Sequence, residues 1–182
     1  MRLVLLDRDG VLNVDREDSV KTPGELVMLP GAAEAVARLN AAGRLVAVCS
    51  NQSVVGRGII DEGMLGRIHE KLTAELARAG GRLDAIFHCP DTPQNAGPRR
   101  KPAPGMLFEA MRRFRIAAED TVMIGDALSD LEAASAAGCR RILLRTGKGA
   151  VAQAEGLPRH VLPVAVCEDL AAAVDSLLET AA

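Results

Sequence analysis

Apolar runs without alternation punctuate this chain, and each gives way to a polar stretch. Leu3-Val4-Leu5-Leu6 runs into Asp7, Val46-Ala47-Val48-Cys49 into Ser50, and Val122-Met123-Ile124 into Gly125-Asp126. Runs that are apolar on both faces read as strands buried on both sides. The pattern predicts strands near 2–6, 44–48, 84–88, 121–124 and 141–145, with a weaker one near 163–166. Between them the apolar period becomes helical, near 31–42, 61–79, 104–115, 128–137 and 168–179. Met64, Leu65, Ile68, Leu72, Leu76 and Ala79 form one face of the second helix, with Asp61 and Gly80 as its start and stop. The Ala-rich segment at 132–138 suits close packing on a sheet, and Gly138 is placed to end it. Alternating strands and helices predict a parallel sheet flanked by helices.

The 182 residues suit one domain, 1–182, with no evident repeat, linker or low-complexity segment. Apolar residues are 48% and charged residues 25%, with a net charge of −2, which is ordinary globular composition. With three Phe and no Trp or Tyr, the core must be filled by Ala, Val and Leu. The same scarcity of aromatics and the near-neutral charge argue against nucleic-acid binding. No apolar run is long enough for a membrane span, and the chain opens straight into a strand without a leader pattern. Cys49, Cys89, Cys139 and Cys167 are widely spaced and read as reduced thiols, so the expected compartment is the cytoplasm.

The long irregular segments 7–30, 49–60 and 89–103 each follow a predicted strand, so they can converge on one sheet edge, where open α/β sheets bind ligands. Asp7 and Asp9 leave the first strand as an acid pair that is costly without a counter-charge, and Mg²⁺ takes such carboxylate oxygens. Ser50-Asn51-Gln52 offers a hydroxyl and turn amides to phosphate oxygens, although such turns are also common as plain structure. Arg99-Arg100-Lys101-Pro102 is either a phosphate-neutralising cluster or a solvated basic loop. Asp126 after the fourth strand is a further candidate metal ligand, with Asp130 behind it or serving as a helix-start acid. His69 is expected on the exposed side of its helix, His88 at a strand end and His160 among loop prolines; none has the Ser or Cys partner of a hydrolytic triad.

In this order and spacing, Asp7-Arg8-Asp9-Gly10-Val11, Ser50, Lys101-Pro102 and Gly125-Asp126 with Asp130 resemble the four motifs of the haloacid dehalogenase-like phosphohydrolases. The resemblance runs from the first strand to about residue 148 and implies a three-layer α/β/α Rossmann-like fold. It also implies chemistry: Asp7 attacks phosphorus, Asp9 serves as acid and then base, and Ser50 and Lys101 hold the phosphoryl oxygens. Mg²⁺ would rest on the Asp7 side chain, the Asp9 carbonyl and Asp126. Only 42 residues lie between Asp7 and Ser50 and 50 between Ser50 and Lys101, which leaves no room for a cap domain.

Within that superfamily the chain is most similar to the capless D-glycero-D-manno-heptose 1,7-bisphosphate phosphatases, a subfamily shared with histidinol-phosphate phosphatases. The likeness rests on Val20-Lys21-Thr22-Pro23, Ser50-Asn51-Gln52-Ser53, Gly56-Arg57-Gly58, Arg100-Lys101-Pro102-Ala103-Pro104-Gly105-Met106 and Arg145-Thr146-Gly147-Lys148. It implies a small phosphorylated sugar as partner and a monomeric enzyme. Its sugar site would be lined by Asp15, Arg16, Glu17, Asp18, Ser50, Asn51, Gln52, Ser53, Arg100 and Ala127. Arg57 is either an assistant there or a solvated loop arginine. The chain departs from these relatives at their zinc loop, Cys-x-His then Cys-x-Cys: Cys89 remains, but Asp91, Gly97 and Arg99 stand at the other positions. Four Cys or His ligands are the norm for structural zinc, so none is expected. Val54, where relatives often carry glycine, is a second departure. The alternatives are a histidinol-phosphate phosphatase, a receiver-type domain that stores phosphate on Asp7, and a degenerate binding protein.

Overall fold

The structure, a computed structural model, describes residues 1–179. Six parallel strands form one sheet: β1 (Leu3–Leu6), β2 (Leu45–Asn51), β3 (Ala85–Cys89), β4 (Thr121–Gly125), β5 (Arg140–Leu144) and β6 (Ala165–Cys167). Their order is β3-β2-β1-β4-β5-β6. The direction of strand addition reverses between β1 and β4, and a crevice opens at the carboxyl ends of strands at such a switch point.

Strand periodicity divides the apolar runs between two cores. Val4, Leu6, Val46, Val48, Val122 and Ile124 face α1 (Ala32–Ala41), α3 (Glu62–Arg78) and α7 (Leu170–Glu179), meeting Val36, Leu39, Ile68, Leu72, Leu76 and Val174. Leu3, Leu5, Ala47, Cys49 and Met123 face the other way, onto Met106, Leu107, Ala110 and Met111 of α4 (Gly105–Phe114) and Ala133, Ala134 and Ala137 of α5 (Leu128–Ala137). Successive residues are claimed by opposite faces, which is why the strands read as continuous apolar runs. The result is the expected three-layer α/β/α fold.

Helix ends follow their sequence signals. The Asp61 side chain accepts from the Met64 N–H at 2.7 Å, and Gly138 closes α5 in the left-handed region at φ 74°. Two short helices, α2 (Ser53–Gly56) and α6 (Gly149–Glu155), were not expected, since neither is long enough to show a period. β2 runs three residues past its expected end: Ser50 pairs with His88 and Asn51 with Cys89, so the polar pair belongs to the strand rather than to a turn after it. His69 departs from expectation as well. It is half-buried with Nε2 shut off from solvent, and burial, joined by the Arg8 charge, brings its pKa down to about 4.

The segment 7–31 is packed down rather than raised as a cap. Leu12, Val20 and Leu26 are buried in the core with α1 and α3, and Val14 and Leu29 bond back to Val27 and Leu12. Its polar stretch at 15–19 is left over the switch point.

Candidate active site

A tight turn after β1 sets the centre. Gly10 sits at φ 79°, and a Cβ there would overlap the Asp126 carboxylate, so only glycine lets the two segments approach. The turn buries Arg8 and Asn13 completely behind the acid pair. Arg8 Nη2 lies 2.9 Å from both Asp9 oxygens, Asn13 Nδ2 donates to Oδ1 at 2.8 Å and Gln52 Nε2 to Oδ2 at 2.9 Å. Burial alone would push the Asp9 carboxyl upward; Arg8, with the Asn13 and Gln52 hydrogen bonds, outweighs it and holds Asp9 below the usual carboxylate range.

Asp7 has the opposite balance. Its Oδ2 lies 3.1 Å from Lys101 Nζ and its Oδ1 accepts from the Arg8 N–H at 2.7 Å, yet burial, helped by Asp130 and Asp9, raises it to about 6. Lys101 is 2% exposed and lies 2.6 Å from Asp130 Oδ1, with Asp130 fully buried. Burial would lower the Lys101 pKa, but Asp130 and Asp7 outweigh it and keep the ammonium charged. Asp126 is raised to about 7, first by burial and then by Asp7 and Asp130; its carboxylate accepts from the Lys148 N–H at 2.9 Å.

The remaining expected residues are distributed around this centre. Ser50 accepts from Gln52 Nε2 at 2.8 Å. Asn51 clamps the Lys101 backbone from both sides, donating to its carbonyl at 2.9 Å and accepting from its N–H at 3.1 Å, which ties β2 to the basic segment. A cleft of about 460 Å³ joins Asp7, Asp9 and Asp126 to Asp15, Arg16, Glu17, residues 50–53, Arg100, Lys101 and Ala127, a volume suited to a small polar ligand. Two expected residues are not in that lining. Asp18 pairs outside it with Arg16 and Lys21, and Arg57 lies along Ser53 and Ser19. Asp130 lies behind Lys101, its Oδ2 accepting from the Ala127 N–H at 3.1 Å. Lys148, Ser19 and Ser129 also line the cleft, beyond the residues the sequence marks for the site. The sequence signal for Lys148 is its place in the polar run that follows β5.

The loop after β3 is cross-linked by its own polar groups. The Asp91 carboxylate accepts from the Gly97 N–H at 3.0 Å, Arg100 Nη1 donates to the Asp91 carbonyl at 2.7 Å, and Arg99 makes a two-pronged pair with Glu109 at 2.8 and 3.1 Å. These bonds aim Arg100 at the cleft.

The acidic centre fits a hard divalent cation. Oxygens of Asp7, Asp126 and Asp130 lie within 4.8 Å of one another, no basic side chain pairs with Asp126 among the described residues, and all donors are oxygens. Asp130 is fully buried behind the cleft, with Lys101 at one oxygen and the Ala127 N–H at the other, whereas Asp7 and Asp126 line the cleft and are placed to share an ion. A stability consequence follows for metal-free protein. The unfolded chain loses these protons near 3.8, while Asp7 and Asp126 keep theirs to about 6 and about 7. Their protonation therefore stabilises the fold in full below about pH 4, and the benefit is lost as the pH rises to about 7. Mg²⁺ competes with those protons. Saturating Mg²⁺, about a hundredfold over Kd, should raise Tm by about 5–10 °C at pH 8 and by clearly less at pH 5. Thermal unfolding in chelator and in Mg²⁺ checks this, and equal shifts at both pH values would refute it.

Comparison with known proteins agrees with this geometry. Residues 98–173 match the HAD-hydrolase-like family model. The chain is 44% identical over its full length to the D-glycero-beta-D-manno-heptose-1,7-bisphosphate 7-phosphatase of Bordetella bronchiseptica, covering all of both chains. It is 40% identical to the Pseudomonas aeruginosa protein of the same name, across 97% of this chain and 98% of that one. The crystal structure of the B. bronchiseptica D,D-heptose 1,7-bisphosphate phosphatase, complexed with magnesium and phosphate, superposes with a TM-score of 0.93 over 99% of both chains. The Burkholderia thailandensis phosphatase gives a TM-score of 0.76 at 41% identity, over 98% of this chain and 99% of that one. With this fold, these motifs and full-length relatives at this identity, the chain belongs to the haloacid dehalogenase-like phosphatases.

Proposed function

We propose that this phosphatase removes the 7-phosphate of D-glycero-D-manno-heptose 1,7-bisphosphate through an aspartyl-phosphate on Asp7. The observation that carries the chemistry is the unequal treatment of the two acids at the end of β1: Asp7 faces Lys101 in the cleft, while Asp9 is held ionised by Arg8. The substrate is supported by full-length likeness to relatives of that name and by a polar, uncapped cleft.

Asp7 Oδ attacks phosphorus in line as the bond to the sugar oxygen breaks, and that oxygen takes a proton from Asp9. As the ester phosphate dianion enters, like-charge repulsion raises the proton affinity of Asp9, which takes up a proton from solvent and holds it for the leaving oxygen. Once the sugar leaves, Arg8, Asn13 and Gln52 restore the carboxylate, which takes a proton from the water that hydrolyses the acyl phosphate. Lys101 and Ser50 hold equatorial oxygens as charge shifts. Asp7 and Asp126, with the Asp9 carbonyl, would hold Mg²⁺, which supplies further electrostatic stabilisation of the phosphoryl group. A receiver-type domain has no use for an acid poised like Asp9, because it must keep its phosphate.

The enzyme is read as a single-domain monomer of the cytoplasm, a compartment that its four free cysteines suit. No helix among the described residues is long and apolar enough to cross a membrane. The loop at 89–100 is read as zinc-free, because Gly97 and Arg99 offer no ligand and Asp91 is engaged with Gly97.

Phosphate release from the heptose 1,7-bisphosphate and from histidinol phosphate separates the substrates. The bisphosphate is expected to have kcat/KM at least about tenfold higher, a difference of only about 1.4 kcal/mol in transition-state binding. Preference for histidinol phosphate would transfer the enzyme to that branch of the subfamily.

A further inference from the structure

Among the cleft cations, three are already committed. Lys101 is shared by Asp7 and Asp130, Arg16 is paired with Asp18, and Arg100 is pinned to the Asp91 carbonyl. Lys148 is different. Its root is fixed at the reacting centre: its N–H donates to Asp126 Oδ2 at 2.9 Å, Gly147 before it fits against Asp126 only because it lacks a Cβ, and the Thr146 hydroxyl donates to the Gly10 carbonyl at 2.6 Å. Its tip is exposed. The side chain is 71% exposed, and among the described residues its ammonium pairs with Asp15 Oδ2 at 3.2 Å, on the segment after β1 that also lines the cleft.

An exposed lysine–carboxylate pair contributes about 0–1 kcal/mol, whereas charge-assisted bonds to a doubly charged phosphate are stronger. A phosphate entering the cleft can therefore displace Asp15. We infer that Asp15 and Lys148 form an exchangeable ion pair, in which a substrate phosphate takes over the Lys148 ammonium and the freed Asp15 carboxylate becomes an acceptor for hydroxyls of the polyol. Lys148 is then a phosphate-binding residue additional to Arg100 and Lys101, and Asp15 links phosphate arrival to sugar recognition. The inference rests on the phosphatase reading above and adds to it the order in which the site's charges change partners.

Titration of the enzyme with inorganic phosphate in Mg²⁺ buffer, followed by calorimetry, tests the exchange without turnover. Lys148→Met is expected to weaken phosphate binding about tenfold, the scale of one charge-assisted bond. Asp15→Asn should tighten it about threefold, because the ammonium no longer has to be taken from a competitor. In the Lys148→Met background, Asp15→Asn should have no effect, since there is no ammonium left to release. Unchanged affinity in Lys148→Met sinks the exchange while leaving the phosphatase reading intact. Weaker binding in Asp15→Asn would mean that Asp15 only positions the lysine, and tightening that persists in the double variant would mean simple relief of repulsion; either outcome overturns the proposal. Wild-type protein that binds no phosphate would overturn the proposal and the reading together. Both side chains lie at the cleft mouth outside the core, and thermal unfolding of each variant confirms that the fold is kept.

Discussion

Asp7→Asn is expected to reduce phosphate release by about 10⁴-fold or more, the scale of loss when a covalent nucleophile is removed. The amide matches the carboxylate in shape, so Lys101 and the Arg8 N–H keep a neighbour, but it cannot attack phosphorus. The same substitution should not weaken the fold in the absence of metal. Asp7 is a buried acid whose pKa is raised to about 6, so its negative charge is a burden on the folded chain at neutral pH. Replacing it removes repulsion with Asp126 and Asp130 while Lys101 retains Asp130 at 2.6 Å. Tm in chelator at pH 7 should match or exceed that of the wild type, and Mg²⁺ should raise it less. Activity lost with stability kept is the signature of a group placed for chemistry at a cost to the fold. Residual turnover above about a thousandth of wild type, or a collapse of Tm, would remove Asp7 from the nucleophile's role.

How far the sequence discloses this arrangement depends on the range of the interactions involved. The buried strands were legible because Leu3–Leu6 and Val46–Cys49 must satisfy apolar surfaces on both sides, and the acids were legible because they stop those runs. The fold class followed from alternation alone, and the boundaries erred where local cues misled. Ser50-Asn51 looks like a turn but is held in β2 by pairing with His88 and Cys89, a contact set by the neighbouring strand. α6 is too short to show a period and begins on Gly149, which packs against the Leu144 carbonyl, so only the tertiary structure explains it. His69 looked solvent-facing by helical spacing, yet it lies within reach of the buried Arg8 charge. The division of charge in the site was also illegible. Arg8 neighbours both acids in sequence, so adjacency does not say that its guanidinium turns to Asp9, and nothing local says that Asp7 meets Lys101 or that Lys148 meets Asp15. The two distant partners are chosen by loops that converge only once the sheet has formed.

Lys101→Met should be the most destabilising single change at this site. It removes the ammonium that lies 3.1 Å from Asp7 and 2.6 Å from Asp130, and it leaves Asp130 fully buried without a counter-charge. Breaking a buried pair by deleting one partner costs about 3–5 kcal/mol, because the remaining charge has neither water nor a partner. For a chain of this size that is a Tm loss of about 6–20 °C. The sign of the pH dependence follows from Asp7, whose pKa is raised to about 6 even beside Lys101: without the ammonium it escapes part of the penalty by taking up a proton, so the variant should lose most at pH 8 and least near pH 5. Phosphate release should fall about 10²–10³-fold as well, since Lys101 is the cation set beside the nucleophile. Asp130→Asn added to Lys101→Met separates the two effects. The amide relieves the stranded charge and should recover a large part of the stability, measured by urea unfolding at pH 8, while turnover stays low because no ammonium has returned. If the double variant were no more stable than Lys101→Met, the Lys101–Asp130 pair would not be what holds the back of the site together. If it regained activity along with stability, Lys101 would be a structural lysine, and the phosphoryl oxygens would need another cation.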